Sequence, residues 1–423
     1  MSMKSLNLRV AALPALVAVV VALAACGSSG SSSSSSSAGG SSPSSTSSSA
    51  APASSSSSKL PSTIPVTAVE DLSGPVAYVG KSVVAGMQVA VNQINSSGLL
   101  HGSKLVLTVK DDGSQVATAT SQFSSAVNSN AVALFGPLLS QEALATAPLA
   151  ERGKVVDVAI ESQVNGLLET GPYIYRATSS QLRFDNLIPE YIAPKITGNK
   201  SVRILYLSDT PTLVQAYAQM NAKFKSLGVT PLGGVGVPIT TTDFTSLASK
   251  LESGNPGAIG ILVIGTANPA AITALRNSGY KGLLFGEEAA TNGSLKPAGA
   301  LANGFVYAVD YNPGLTFPSA VAFTKLFESK NPGQIPDGYD ATGYDAVNEV
   351  AHAIALSGSA TRSGVEAGMQ DLAKTGGLDG AIGPEKFTGT GNRDLSVAGT
   401  LVVWNGGQEK VLKVGNPDLT TQP

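Results

Sequence analysis

Short apolar runs alternate with amphipathic segments along the chain from Ile64 onward. The first run, Val66–Val69, passes through the turn Leu72–Pro75 into a segment whose apolar residues recur at helical spacing. Those apolar residues are Val83, Met87, Ala90, Val91 and Ile94. The pattern predicts a strand that is followed directly by an amphipathic helix.

The same alternation continues and then restarts after Arg176, which predicts two lobes. Further strands are predicted at Leu105–Val109, Val132–Phe135, Val155–Ile160, Val202–Leu207, Ile259–Ile264 and Leu283–Phe285. Helices are predicted between most of them, including one over 181–194 and one in which Pro211 occupies the first turn. Apolar strands that alternate with amphipathic helices are typical of parallel sheets covered on both faces.

Ligands of open α/β sheets bind outside the carboxyl ends of the strands. We therefore expect a binding cleft among the loops that follow the predicted strands. These loops are 71–80, 111–114, 136–141, 159–163, 208–213, 265–268 and 286–292.

The N-terminal residues follow a different pattern. Lys4 and Arg9 precede an apolar run from Val10 to Ala25, which is shorter than the ~20 residues of a membrane-spanning helix. This layout is typical of a secretory signal peptide over 1–25. The run ends in Leu-Ala-Ala-Cys-Gly, which resembles the lipobox of bacterial lipoproteins. That resemblance implies cleavage before Cys26 and lipidation of Cys26; the alternative is an ordinary signal peptide with a chance cysteine.

Residues 28–58 consist almost entirely of Ser, Ala, Gly and Pro. Such a composition buries too little apolar surface to offset the entropy of ordering, so we predict a disordered tether over 26–62. As a flexible coil it would span roughly 30 Å. The expected location is therefore the extracytoplasmic face of the cell membrane, with the membrane contact made by lipid on Cys26.

Composition and motifs exclude several classes of function. The net charge is −2 and charged residues make up 13% of the chain, which argues against a nucleic-acid partner. With one cysteine and two distant histidines, the sequence offers no disulfide and no histidine- or cysteine-based metal site. No nucleophile elbow, Walker A loop or complete dinucleotide fingerprint is present. We therefore predict no cofactor and no catalytic residues.

Three motifs could have a chemical role, and each also has a structural explanation. Gly233–Gly236 resembles a phosphate loop, but Val237 and Pro238 follow, which favours a loop or a strand end. Asp111 and Asp112 could hold a metal or cap a helix. Glu287 and Glu288 could act as an acid/base pair, but adjacent residues at a strand end usually point to different sides. At most one of the two is then expected to face the cleft.

Seven landmarks occur in the order and spacing of a known family. They are Leu72–Ala77, Val91–Asn95, Lys110–Asp112, Leu134–Pro137, Gly171–Arg176, Gly343–Val347, and Ile382–Pro384 before Phe387. From about Thr63 to Leu412 the chain resembles the type I periplasmic binding proteins. The nearest group is the leucine/isoleucine/valine-binding proteins of branched-chain amino-acid ABC transporters.

The resemblance implies an α/β fold of two Rossmann-like lobes, which have mainly parallel sheets and close on ligand by hinge motion. Three crossing segments would join the lobes near residues 178–182, 308–313 and 383–386. Lobe one would combine residues 63–179 with 311–384, and lobe two would combine 180–310 with 385–423.

The resemblance also implies a set of ligand-binding positions. Ser140 falls where a serine hydroxyl binds a ligand carboxylate, and Ala159 where a backbone N–H does the same. Glu288 falls where a glutamate binds a ligand ammonium group, and Tyr339 where an aromatic ring borders the pocket.

Other positions depart from the family pattern. Thr212 replaces a common tyrosine, and Val79 stands where an aromatic residue often covers the ligand, with Tyr78 adjacent. Thr266 lies in a loop before a shortened helix. Glu161 stands where a threonine usually binds the carboxylate; at ~4 Å two like charges would repel by roughly 4 kcal/mol.

Two outcomes follow for Glu161. Either it pairs with a cation such as Arg183, or the ligand has no carboxylate there. We therefore expect leucine, isoleucine and valine to bind poorly, and we expect a cationic, amide-bearing or otherwise non-zwitterionic solute instead.

The leading hypothesis is a monomeric, non-enzymatic lipoprotein that captures a small polar, amino-acid-like solute. The resemblance implies an ABC permease and ATPase subunits, on separate chains, as its partners. The alternative is a ligand-sensing lipoprotein that signals to a separate membrane receptor.

Overall fold

The computed structural model describes residues 60–414. The predicted signal peptide, Cys26 and nearly all of the predicted tether lie outside the described residues. Within residues 60–414, no helix combines the length and the apolar character that crossing a bilayer requires.

Strands and helices alternate over most of this region. The strands are β1 (Thr63–Glu70), β2 (Lys104–Asp111), β3 (Ala133–Phe135), β4 (Val156–Ala159), β5 (Ile174–Arg176), β6 (Ser201–Leu207), β7 (Thr230–Val237), β8 (Ala258–Leu262), β9 (Leu283–Phe285), β10 (Phe305–Val309), β11 (Asp379–Gly380), β12 (Gly383–Pro384), β13 (Lys386–Thr388), β14 (Asp394–Ser396), β15 (Thr400–Asn405) and β16 (Gln408–Val414). The helices are α1 (Ala77–Ser97), α2 (Val116–Val127), α3 (Ser140–Gly153), α4 (Leu187–Ile192), α5 (Pro211–Ser226), α6 (Thr245–Glu252), α7 (Ala267–Asn277), α8 (Asn292–Leu295), α9 (Pro318–Lys330), α10 (Gly338–Ser357) and α11 (Arg362–Thr375).

Two seven-stranded sheets organise the described residues. The first has the order β13-β14-β5-β4-β3-β1-β2, and the second has the order β16-β15-β10-β9-β8-β6-β7. In the first sheet, only the pair β13–β14 is antiparallel. In the second sheet, the pairs β10–β15 and β15–β16 are antiparallel and the other neighbouring strands are parallel. The predicted α/β fold with two mainly parallel sheets is confirmed.

Both faces of the first sheet are covered, which explains the near-continuous apolar runs of its strands. Successive side chains of a strand point to opposite faces. In β1, Val66 and Ala68 pack in one apolar cluster with Met87 of α1. Val69 packs in a second cluster with Phe123 of α2.

The glycine-rich segment Gly233–Gly236 lies inside β7, which pairs in parallel with β6. The rings of Tyr206 and Tyr217 stack there with centroids 4.3 Å apart. A Cβ atom at Gly234 would lie 2.6 Å from the Tyr217 ring. The glycine therefore makes room for the two aromatic rings, and the strand interpretation of this motif is correct.

The helix predicted over 181–194 is broken. Residues Gln181–Arg183 form a 3-10 turn, α4 covers only Leu187–Ile192, and a second 3-10 turn follows at Ala193–Lys195. Pro194 lacks the N–H group that would continue α4 beyond Ala193.

The assignment of residues 385–423 to the second lobe is wrong for β13 and β14, because both strands belong to the first sheet. The backbone N–H of Arg176 donates to the carbonyl of Arg393 at 3.0 Å. The Arg176 guanidinium also pairs with Asp394 at 2.9 Å. The chain therefore leaves the first sheet for the last time after β14, between residues 397 and 399, and not near 383–386.

Candidate functional site

A cavity of about 50 Å³ lies between the two sheets. Its walls come from both halves of the described chain. They consist of Val79, Leu138, Leu139, Ser140, Glu161, Gln163, Gln181, Thr210, Thr212, Leu213, Ile264, Glu287, Glu288, Ala289 and Tyr339. A space of this size holds a few water molecules.

Most of the wall consists of loops at the carboxyl ends of parallel strands, as expected for such sheets. Five of the seven loops expected from the sequence contribute: 71–80, 136–141, 159–163, 208–213 and 286–292. Loops 111–114 and 265–268 do not line the cavity. Gln181, Ile264 and Tyr339 join the wall from outside the expected loops.

The structure brings together five of the eight predicted ligand-binding residues. Ser140, Glu161, Thr212, Glu288 and Tyr339 line one cavity, although they are distant in sequence. Ser140 begins α3 and Thr212 lies in the first turn of α5, so two helix N-termini point toward the same space. Their roles toward a ligand remain a prediction.

The other three predicted residues lie elsewhere. The Tyr78 hydroxyl donates to Asp337 at 2.6 Å, outside the cavity wall. Ala159 ends β4, and its methyl group packs in the apolar cluster that contains Phe123. Thr266 borders a separate surface cavity of about 620 Å³ beside α6 and α7.

Side chains from the two sheets meet directly across the cavity. The hydroxyls of Ser140 and Thr212 are 2.6 Å apart. The Gln163 amide donates to Glu288 at 2.5 Å. These contacts leave little room between the sheets, so the arrangement is a closed cleft.

Three glutamates give the cavity its electrostatic character. Burial raises the pKa of Glu161 well above its ordinary value, and the neighbouring Asp310 raises it further. Burial also raises the pKa of Glu288, and the neighbouring Asp310 and Glu161 raise it further. Burial alone raises the pKa of Glu287 to about 8. The residues that line the cavity include no Lys, Arg or His to offset this acidity.

Glu161 does not pair with Arg183, which corrects one of the two outcomes expected from the sequence. The Arg183 guanidinium binds Asp394 at 2.8 Å and Ser396 at 2.9 Å. Glu161 instead accepts a hydrogen bond from the Thr342 hydroxyl at 2.5 Å and borders the cavity.

Sequence reasoning missed Glu287 as a cavity residue. Both members of the Glu287-Glu288 pair line the cavity, although one at most was expected to do so. The reason is a 3-10 turn at Glu288–Ala290, where the Glu287 side chain accepts a hydrogen bond from the Ala289 N–H at 2.9 Å. The turn ends the strand alternation on which the expectation depended.

Two polar atoms of the wall are buried without a hydrogen-bond partner among the described residues. They are Oε1 of Glu287 and Oγ1 of Thr210. A carboxylate oxygen accepts hydrogen bonds, and a hydroxyl both accepts and donates them. The cavity therefore offers unused acceptors to a ligand that carries N–H or O–H groups.

A family model described as periplasmic binding protein matches residues 63–408. Curated relatives carry matching names. The Leu/Ile/Val-binding protein homolog 7 of Brucella abortus (strain 2308) is 27% identical over 190 residues, which cover 43% of this chain and 47% of that protein. This match therefore spans about half the length of that relative. The Leu/Ile/Val-binding protein BraC3 of Rhizobium johnstonii is 23% identical over 351 residues, which cover 82% of this chain and 92% of that protein.

Solved structures share the fold. The leucine-binding protein LivK of Thermotoga maritima superposes with a TM-score of 0.75 at 23% identity, covering 84% of this chain and 99% of that one. LivJ of Streptococcus pneumoniae, in complex with isoleucine, gives 0.74 at 21% identity, with coverage of 84% and 99%. A solute-binding protein of Rhodopseudomonas palustris BisB5, in complex with 3,4-dihydroxybenzoic acid, gives 0.75 at 20% identity, with coverage of 85% and 100%. Because two of these proteins hold chemically different ligands, this fold does not by itself determine the ligand.

Proposed function

Since the chain belongs to the periplasmic binding protein family, we propose that it is an extracytoplasmic solute-binding lipoprotein. It captures a small polar solute in the cleft between its two sheets and delivers it to an ABC importer. The relatives and solved structures named above are all described as binding proteins, which supports binding without catalysis. The protein acts as a monomer, and the permease and ATPase subunits are separate chains.

The acidic cavity carries this proposal. Glu161, Glu287 and Glu288 line a space that has no cationic side chain in its wall. Burying a carboxylate without a counter-charge is costly, whereas a bound cation or a group of N–H donors compensates it. The ligand is therefore cationic or rich in amide N–H groups.

A zwitterionic branched-chain amino acid fits this cavity poorly. Ser140 still offers a hydroxyl to a ligand carboxylate, but Glu161 borders the same space. Thr212, in place of an aromatic residue, adds little apolar surface for a branched side chain. We therefore infer the class of ligand from the charges of the cavity and not from the names of the relatives.

Isothermal titration calorimetry of the ligand-free protein tests the proposal. The panel contains arginine, lysine, putrescine and small amides on one side, and leucine, isoleucine and valine on the other. We expect micromolar binding of at least one cationic or amide-bearing solute and no measurable binding of the branched-chain amino acids. Micromolar or tighter binding of leucine, isoleucine or valine would refute the assignment.

Glu161→Thr sharpens this test. For an ionised Glu161 at ~4 Å from the ligand carboxylate, the repulsion removed is roughly 4 kcal/mol, which corresponds to at most about a thousandfold in affinity. The raised pKa of Glu161 makes the expected change smaller than this limit. We expect the variant to gain affinity for leucine and to lose affinity for the cationic solute. The exposed Glu328 provides a matched control, since Glu328→Gln removes a carboxylate that does not line the cavity. An unchanged ligand profile in Glu161→Thr would mean that Glu161 does not face the ligand.

The anchor is tested separately, on Cys26. We expect Cys26→Ala to move the protein from the membrane fraction to the soluble fraction, because the thiol that carries the lipid is lost. Fractionation of native cells after a salt wash measures this. Retention of the variant in the membrane fraction would show that another contact holds the protein there.

A further inference from the structure

A second group of acidic residues lies beside the first sheet, and none of its members lines the cavity. Asp71 follows β1, Asp112 follows β2, and Glu142 lies in the first turn of α3. Each offers one carboxylate oxygen, and these three oxygens lie within 4.8 Å of one another. All three residues are fully buried.

These carboxylates have no counter-charge in the described part of the chain. None of the four ion pairs found between residues 60 and 414 includes them. Both carboxylate oxygens of Asp71 and Glu142, and Oδ2 of Asp112, are buried without a hydrogen-bond partner. Three buried, unpartnered carboxyl groups that converge on one point must be neutralised, either by protons or by a bound cation.

The backbone around the group is held in place independently. Asp111, next to Asp112, accepts hydrogen bonds from the N–H groups of Leu72 and Ser73 at 3.0 and 3.1 Å. Oδ1 of Asp112 accepts one from the Ser114 N–H at 3.1 Å, which leaves Oδ2 free. These bonds fasten the loop after β1 to the loop after β2, so the two aspartates are positioned in advance.

We propose that Asp71, Asp112 and Glu142 bind one divalent metal ion of the hard, oxygen-preferring class, such as Ca²⁺, Mg²⁺ or Mn²⁺. Ca²⁺–O distances of about 2.3–2.6 Å place opposite ligands at most about 5 Å apart, and the observed oxygen spacing falls within this limit. A ligand set made only of carboxylates favours these ions over Zn²⁺, which prefers nitrogen and sulfur ligands. Water would complete the coordination shell.

The ion would connect two strands to a helix that serves the cavity. Glu142 lies two residues beyond Ser140, within the same first turn of α3. Tying Glu142 to the ends of β1 and β2 therefore fixes the start of α3, and with it the Ser140 hydroxyl. The site is a structural one, and its occupation does not depend on which solute the cavity binds.

Metal titration of the full chain, after treatment with EDTA and dialysis, tests the proposal. Calorimetry with CaCl₂, MgCl₂ and MnCl₂ should detect one ion per chain for at least one of the three metals. The same metal should raise the thermal unfolding midpoint by several degrees, because an ion that binds only the folded state stabilises it. Absence of both responses for all three metals would overturn the proposal.

Three variants locate the response. Glu142→Gln and Asp112→Asn should each abolish the metal-dependent rise of the midpoint. The metal-free midpoint of Glu142→Gln should not be lower than that of the wild type, since the substitution removes an unpartnered buried carboxylate.

Glu349 is the matched control, because it is also fully buried with both oxygens unpartnered but lies outside this group. Glu349→Gln should keep the metal response. A response that survives in both Glu142→Gln and Asp112→Asn would place the ion elsewhere and refute the site.

Discussion

At Glu287 a carboxyl group is fully buried in the cavity wall, and its Oε1 has no hydrogen-bond partner in the described chain. Burial disfavours the ionised form and raises its pKa from 4.5 to about 8. The folded protein therefore keeps this proton at pH values where the unfolded chain has lost it. Glu287 links the stability of the ligand-free protein to pH.

The sign of that dependence follows from proton linkage. The contribution of Glu287 to stability is fully present below pH 4.5 and is lost as the pH rises through about 8. We expect the thermal midpoint of the ligand-free wild type to fall between pH 5 and pH 9, and Glu287→Gln to fall less steeply. A single group of this kind accounts for on the order of a few kcal/mol. Calorimetric scans at one-unit pH intervals measure the difference.

Glu161 and Glu288 also have raised pKa values, so the variant should reduce the slope without abolishing it. Glu328→Gln, at an exposed position, controls for the loss of one carboxylate. Identical slopes in Glu287→Gln and in the wild type would show that this carboxyl is ionised in the cavity.

Sequence reasoning placed residues at the cavity where position along a parallel sheet decides the outcome; their binding roles stay predictions. Ser140 and Glu161 follow strands β3 and β4, and the carboxyl ends of parallel strands necessarily meet at one edge. It failed where a local turn reorients a side chain, as at Glu287. It also failed at Tyr78, whose hydroxyl is bound by an aspartate 259 positions away. No sequence pattern predicts such a contact.

Among the elements, the long helix α10 packs between α1 and α11 with unusually close backbones. A Cβ atom at Gly86 of α1 would lie 1.8 Å from the Asp340 carbonyl, and one at Gly343 of α10 would lie 2.2 Å from the Val83 carbonyl. At the other crossing, a Cβ atom at Gly368 of α11 would lie 2.0 Å from the Ala353 carbonyl. Glycine at these positions permits the helices to approach.

We expect Gly86→Ala to destabilise the protein although alanine favours helix. The added methyl group would clash with backbone, which cannot move aside as a flexible side chain can, so α1 and α10 must separate. Overpacking of a tight core costs about 1–3 kcal/mol, which exceeds the gain of about 1 kcal/mol in helix propensity. Equilibrium urea unfolding measures the change in free energy.

Lys81→Ala on the exposed side of α1 is the control, and it should change the free energy of unfolding little. A Gly86→Ala variant as stable as the wild type would mean that the two helices are not packed this closely in solution.

Elements that a local pattern defines were predictable, and elements that distant pairing defines were not. The core strands, such as β6 and β8, are short apolar runs with all or most residues buried. Strands β13 and β14 have only three residues each and join the first sheet next to β5. Their place depends on the Arg176–Asp394 ion pair and the ladder beside it, which are contacts between residues far apart in sequence.

For the molecule as a whole, closure of the cleft is the property on which solute capture depends. The two sheets meet through the Ser140 and Thr212 hydroxyls, which are 2.6 Å apart and buried. The cavity behind them measures about 50 Å³, whereas small-molecule sites typically measure about 300–1,000 Å³. A solute of that class needs more room than this cavity offers, so we expect the two sheets to move apart for its entry.

A cysteine pair at these two positions would lock the molecule closed. The two hydroxyl oxygens are 2.6 Å apart, so Ser140→Cys with Thr212→Cys should bring two thiols within reach of a disulfide bond. Cys26 is the single native cysteine, and a Cys26→Ala background leaves the new pair as the only thiols. We expect the oxidised double variant to have a smaller radius of gyration by small-angle scattering than the reduced, ligand-free variant.

Oxidation should also abolish the binding of any solute that the wild type binds, and reduction should restore it, because entry requires an open cleft. The two single-cysteine variants should show neither effect, since neither can form the bridge within one molecule. If oxidised and reduced double variants have the same radius of gyration and bind solute equally, the two sheets do not separate for entry. The solute would then reach the cavity without hinge motion.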